Sequence, residues 1–178
     1  MEQEPKTIAR VATVAESRDV AELLDAFNHE FGTPTPGPAV LAGRLERLLA
    51  DGNVVALLAG APAIGVALMT MRPNVWYDGP VALLDELYVA PALRGRGVGS
   101  ALLRSAETVA RERGAELMEV NVDGQDTDAR RFYERHGYAN SEPGEDQPLL
   151  YYYRELVARA GDQTGQESRS AGPEPHLT

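Results

Sequence analysis

The chain contains no cysteine. That excludes disulfides, a cysteine nucleophile and thiolate-held zinc. Histidine is scarce, and His29, His136 and His176 show no metal-ligand spacing, so no metal is expected. His136, just before Gly137, fits the C-terminal end of a helix, where the dipole favours it. No apolar run is long enough to cross a membrane, and no cationic-then-apolar leader opens the chain. The expected compartment is therefore the cytoplasm. Basic residues are outnumbered, 17 Lys and Arg against 27 Asp and Glu, for a net charge of −10. This argues against nucleic acid and anionic membrane as partners and favours cationic ligands. What remains is ordinary for one soluble domain: 178 residues, 43% hydrophobic and 25% charged.

Patterning predicts the order β, α, α, β, β, β, α, β, α, β, a mixed α/β plan. Residues 7–13 alternate as a first strand. Ser17 is a plausible N-cap for a helix over 18–30, with Val20, Leu23, Leu24 and Phe27 on its apolar face. Pro38 opens a second helix to Leu49, striped by Leu41, Leu45, Leu48 and Leu49. Strands follow at 53–59 and 64–72. A loop at 73–80 carries the single tryptophan, Trp76, which is either a core plug or the lining of a pocket. Further strands are expected at 81–89, 115–122 and 149–156. A helix starts near Gly97 and stops at Gly114, and another runs from an Asp126 cap to His136-Gly137. The domain is expected over 1–157. The polar Pro/Gly/Ser-rich stretch 158–178 reads as a disordered tail.

The most informative stretch is Leu84-Asp85-Glu86-Leu87-Tyr88-Val89, followed by Arg94-Gly95-Arg96-Gly97-Val98-Gly99-Ser100. It reads as a strand, a glycine-rich loop and a helix mouth. Free N–H groups and a partial positive charge at a helix mouth suit an anion. The glycines remove side chains that would hold a phosphate away, and Arg94 and Arg96 add charge. A pyrophosphate is the simplest ligand. Two readings compete. A dinucleotide fingerprint fits Gly95-x-Gly97 but meets Ser100 at its third glycine and a charged strand before it. The pattern [RQ]-x-x-G-x-[GA] fits Arg94 through Gly99.

On that pattern the chain resembles the GNAT superfamily of acetyl-CoA-dependent N-acetyltransferases. A second segment, Asp126 through Tyr138, is similar to the family's N-x-x-A-x-x-[LF]-Y-x-x-x-G-[FY], with Ala129, Tyr133 and Gly137 in place. Asp126 stands where asparagine is usual. The resemblance spans about residues 7–156. It implies a central twisted mixed sheet of roughly six to seven strands flanked by about four helices. It also implies that Arg94 to Ser100 grip the diphosphate of acetyl-CoA, while Leu87, Tyr88, Val89, Asp126, Ala129 and Tyr133 line its arm. A shorter likeness, at 27–32, is to aminoglycoside acetyltransferases acting on the 3-amino group. Residues 81–99 also look like diamine acetyltransferases.

Amide formation needs a neutral amine and a proton for the departing thiolate. An ammonium with a pKa near about 10.4 costs on the order of 4–5 kcal/mol to deprotonate at pH 7. Glu86 is the expected general base. Asp85 is the runner-up, expected on the opposite face by strand alternation. The resemblance gives Tyr133 the role of general acid. The expected acceptor is a small cationic primary amine, aminoglycoside-like or polyamine. A protein lysine or N-terminus is the alternative substrate, and a non-catalytic acyl-CoA sensor the alternative class. The resemblance is to a family that often dimerises, so a homodimer is a candidate assembly, and the sequence leaves the oligomeric state open.

Overall fold

The computed structural model describes residues 9–154 and 156. The chain divides into two compact units, Met1–Thr127 and Asp128–Thr178.

The first unit is built on one sheet. Its strands are β1 (Ala9–Val11), β2 (Val54–Ala59), β3 (Gly65–Arg72), β4 (Val81–Val89) and β5 (Leu117–Val120), side by side in that order. Neighbours up to β4 are antiparallel, and β4–β5 is parallel. A parallel pair needs a crossover, and α3 (Val98–Glu112) supplies it. Helices α1 (Ser17–Glu30) and α2 (Pro38–Ala50) precede β2, and α4 (Thr127–Arg135) follows β5.

Each face of the sheet has its own core. Ala56, Leu58, Val66 and Tyr88 pack with Val20, Ala21 and Leu24 of α1 and Leu45 of α2. Val55, Leu57, Ala67 and Met69 alternate with that set and turn to the other face. There α3 brings buried Leu102, Leu103 and Ala106. It lies so close that a Cβ on Gly65 would stand 3.0 Å from Leu102 Cδ1.

Several expectations are corrected. Ser17 is not a cap but the first residue of α1, and its hydroxyl donates to Val14 O at 2.6 Å. A 3-10 turn, Val14–Glu16, precedes it, and the Glu16 carboxylate takes the Thr13 N–H at 2.9 Å. The sheet has five strands, one or two short of the expectation. Residues 149–154 carry no strand, and the Leu149 N–H bonds Asn140 O at 2.6 Å. Aromatic and aliphatic residues raise strand propensity there, but a strand exists only where a ladder partner meets it. Trp76 is no core plug, since it is 87% exposed. Its loop is held by Asn74, whose Oδ1 accepts the N–H groups of Trp76 and Tyr77 at 2.9 Å each. The stretch 158–178 lies outside the described residues.

The second unit begins inside α4. That helix ends in a Gly137 turn with φ +88°, where the Gly137 N–H bonds Glu134 O at 3.0 Å. The Tyr138 N–H reaches Tyr133 O at 3.1 Å.

Candidate active site

Strand β4 contains a bulge at its acidic pair. Its register with β3 runs from Val81 opposite Arg72 to Leu84 opposite Met69, skips Asp85, and resumes with Glu86 opposite Leu68. Directly opposed residues share a face. Leu84 therefore lies on the α3 face with Met69, while Glu86 lies on the α1/α2 face with Leu68. One residue of alternation has been absorbed by the bulge. Asp85 ends on the Glu86 side, where its Oδ2 accepts the Thr70 hydroxyl at 2.6 Å. Thr70 shares that face with Leu68 and Val66 by strand alternation. The expectation that Asp85 and Glu86 point to opposite faces is overturned. Simple alternation fails because Asp85 is itself the residue left out of the ladder with β3.

The bulge also marks where β4 loses a neighbour. Strand β5 pairs with β4 only from Val81 to Leu84. Beyond that point, among the described residues, β4 is flanked by β3 alone. The Ala90 N–H bonds Ile64 O at 3.0 Å. Alternating back from it, the Tyr88 N–H faces β3, and the N–H and C=O groups of Leu87 and Val89 face the open side. Of the three β4 residues that the resemblance sets along the cofactor's arm, Leu87 and Val89 turn backbone to this side. Tyr88 contributes its ring instead.

Glu86 borders a cavity of about 210 Å³ between α1, α2 and the sheet, walled chiefly by Leu24, Phe27, Leu41, Leu45 and Leu68. Asn28 and Arg44 also border it. Burial holds the Glu86 carboxyl above the usual carboxylate range, and the Asp85 charge pushes it the same way. Burial likewise raises Asp85, against the pull of the Thr70 hydrogen bond.

At the far end of β4 a 3-10 turn, Pro91–Leu93, leads into the glycine loop. Gly95 and Gly97 have φ of +75° and +77°, values that favour glycine. Gly97 is the N-cap of α3, and its carbonyl takes the first helical bond, from the Ala101 N–H at 2.9 Å. Helix geometry leaves the Val98 and Gly99 N–H groups without intrahelical acceptors. Buried Val98 anchors the turn, and Gly99 and Ser100 continue it. A Cβ built on Gly95 or Gly97 would meet nothing within 4 Å. The loop thus presents bare backbone to open space. Arg96 is exposed beside it.

Arg94 is placed differently from a free phosphate ligand. Its guanidinium grips Glu30 at the end of α1 through two bonds of 2.8 Å. Its Nε donates to Val89 O on the open edge at 2.9 Å. It also lies over the Tyr88 ring, 5.6 Å from the centroid, and that ring stacks on Phe27 at 5.2 Å. Arg94 holds the Glu30 carboxyl below its usual range. The Tyr88 hydroxyl shares a hydrogen bond with Glu30, while burial raises its pKa. Glu30, Arg44 and the Tyr88 side chain were not singled out as site residues from sequence. Only the short likeness at 27–32 touched Glu30. Arg44 was readable as a charge inside the apolar stripe of α2.

Asp126 lies one residue before the end of the first unit, with its N–H on Asp123 O at 3.0 Å, and α4 begins at the next residue. Ala129 and Tyr133, four residues apart, lie on one face of α4. Tyr133 makes edge contacts with Phe132 at 5.1 Å and Tyr138 at 5.6 Å. Both residues belong to the second unit. Among the described residues, no group of three or more His, Asp or Glu is placed to hold a metal ion. No helix there is long and apolar enough to cross a membrane.

Residues 19–138 match the model of the Acetyltransferase (GNAT) family. A candidate acetyltransferase of known structure from Arthrobacter sp. FB24 is 55% identical, with a TM-score of 0.81, over 88% of this chain and 100% of that one. The aminoalkylphosphonate N-acetyltransferase of Salmonella typhimurium is 38% identical over 95 residues, 52% of this chain and 62% of that protein. The aminoglycoside N(6')-acetyltransferase type 1 of Klebsiella aerogenes is 40% identical over 76 residues, 42% of this chain and 49% of that protein. The chain thus spans less than two thirds of the length of both curated relatives.

Proposed function

The chain belongs to the acetyltransferase (GNAT) family, and on that footing we propose that it transfers acetyl from acetyl-CoA to the primary amine of a small acceptor. The observation that carries the reading is the broken ladder of β4. One bulge sets two carboxylates on one face and begins an open backbone edge, which runs on to the mouth of α3. In this reading, chemistry and anchorage stand at the two ends of one short segment.

The roles follow from the groups present. The bare loop at Gly95 and Gly97, with the mouth of α3 and Arg96, suits the diphosphate of the donor. The open-edge groups of Leu87 and Val89 suit its amide-bearing arm and the thioester oxygen. Glu86 takes the proton from the acceptor's ammonium, directly or through water. A carboxyl held above its usual range is closer in basicity to that task than an ordinary one. The amine nitrogen then attacks the thioester carbonyl. The C–N bond forms and the C–S bond breaks; the thiolate takes a proton assigned to Tyr133, and the proton the nitrogen loses on becoming an amide restores that phenol, directly or through water. The attack is direct within a ternary complex, and no acyl-enzyme is invoked. The acceptor is a small amine, of the broad kind acted on by the two curated relatives. The cytoplasm and a homodimer complete the proposal, and light scattering that gives the mass of one chain removes the second.

The decisive experiment is acceptor-dependent release of free thiol from acetyl-CoA. With no cysteine in the chain, a thiol reagent sees no protein background. Release that depends on both enzyme and amine is expected. Tight acetyl-CoA binding without release from a broad amine panel replaces the enzyme with the sensor.

A further inference from the structure

We infer that the acceptor carries an anionic group beside its amine, and that Arg44 receives that group at the cavity bordered by Glu86. The inference rests on the transferase reading above and names the substrate class for that same site.

The argument begins with α2. Leu41, Leu45 and Leu48 repeat at helical spacing on the face that borders the cavity. Arg44 falls within that same stripe and borders the same space. A cation there interrupts a surface that packing alone would make apolar. Its side chain is exposed, so water can reach it, as at a cavity mouth. Among the described residues it forms no ion pair with any carboxylate. In a chain with 27 acidic and 17 basic residues, carboxylates to neutralise it are in surplus.

The second half of the argument is Glu86. It borders the same cavity, yet among the described residues it forms no ion pair, and burial and the Asp85 charge act on it. The cavity therefore offers one unneutralised carboxylate, one unneutralised guanidinium and an apolar wall between them. Its complement is a zwitterion with an apolar body: an ammonium toward Glu86 and a carboxylate or phosphonate toward Arg44. A guanidinium is suited to either anion, because its planar fork of donors matches both. A polyamine or aminoglycoside would instead place a second cation near Arg44. The net charge of −10 is a total over the whole sequence. The charge pair at the cavity is the more local guide to the acceptor.

The test uses matched acceptors with the full chain. One arm compares a bulky apolar amino acid with its carboxamide. A second compares an aminoalkylphosphonate with the alkylamine lacking the phosphonate. Spermidine and an aminoglycoside are the polycationic arm. Thiol release is expected to give kcat/KM at least about tenfold higher for the anionic member of one matched pair. The pair that shows it identifies the anion as carboxylate or phosphonate. Arg44→Ala should bring that ratio close to one while sparing the neutral partner, and Arg44→Lys should restore part of it. An unchanged thermal melt shows that the variants are folded. The inference is overturned if wild-type enzyme turns over matched pairs equally or prefers polycations. It is also overturned if Arg44→Ala slows anionic and neutral acceptors alike. Thiol release from none of the acceptors, with acetyl-CoA still bound, overturns instead the transferase reading beneath it.

Discussion

Residues 81–84 of β4 lie between two strands, whereas residues 86–89 have a neighbour on one side only. The first half carries three buried residues in four and no charge. The second begins with a half-buried carboxylate and ends against Arg94. The change occurs at one unpaired residue, Asp85. Ladder hydrogen bonds satisfy backbone groups completely, so a regular strand has nothing left to offer a ligand. Where the ladder stops, backbone donors and acceptors become available, and the chain places its acidic groups there. The same nine-residue strand thus contains a structural half and a chemical half.

Exchanging chemistry for packing in the open half should give the largest effect. Glu86→Gln keeps size and hydrogen bonding but removes the basic oxygen. We expect kcat to fall roughly 10²- to 10⁴-fold with acetyl-CoA affinity retained, as steady-state kinetics and titration calorimetry would show. Full activity in this variant transfers the base role to Asp85 or to water. The matching change in the closed half is Leu84→Ala. Leu84 is 2% exposed, and its loss should cost about 2–5 kcal/mol of stability in denaturant titration. Activity per folded molecule should survive. A variant that stayed stable but lost turnover would dissolve the division between the halves.

A smaller effect sharpens the boundary at the far end. Glu30→Gln releases Arg94 from its two bonds and loosens the pin between α1, the Val89 carbonyl and the glycine loop. The pair is partly exposed, with side chains 44% and 28% accessible. Stability should therefore change little. Affinity for acetyl-CoA should weaken by roughly three- to tenfold, since loop geometry rather than packing is lost. Unchanged affinity means that the glycine torsions alone hold the loop.

These features were readable from sequence to different depths. The bounds of β4 were read as Val81–Val89 and are found there. The apolar run from Val81 and the Pro91 stop mark them locally. The helix after Gly97 was equally readable, because glycine and periodicity act within one turn. The bulge was not. It exists only in the register between β3 and β4, and a period-two rule applied to β4 alone must put Asp85 and Glu86 on opposite faces. The open edge depends on β5 stopping at Val120, two residues before the expected end. Arg94 and Glu30 are 64 positions apart, so no local pattern joins them. The expected last strand shows the converse error. Tyr151, Tyr152 and Tyr153 have strand propensity, but residues 149–154 form no strand.

Asp85→Asn gives the subtlest outcome and tests the bulge most directly. Two causes lift the Glu86 carboxyl above its usual value of 4.5, burial first and the Asp85 charge second. Between 4.5 and that raised value the folded chain binds more protons than the unfolded one. Stability therefore falls as pH rises through this window, and the penalty is fully present above it. If Glu86 acts as base, kcat/KM loses activity on acidification through the same raised value. Removing the neighbouring charge leaves only burial. The acid limb of kcat/KM should move to lower pH yet remain above 4.5, and the stability lost across the window should shrink. Had the two carboxylates stood on opposite faces, as plain alternation requires, their coupling would pass through the strand and the limb would scarcely move. An unmoved limb in Asp85→Asn, with turnover at its plateau retained, would remove the shared face from the catalytic argument.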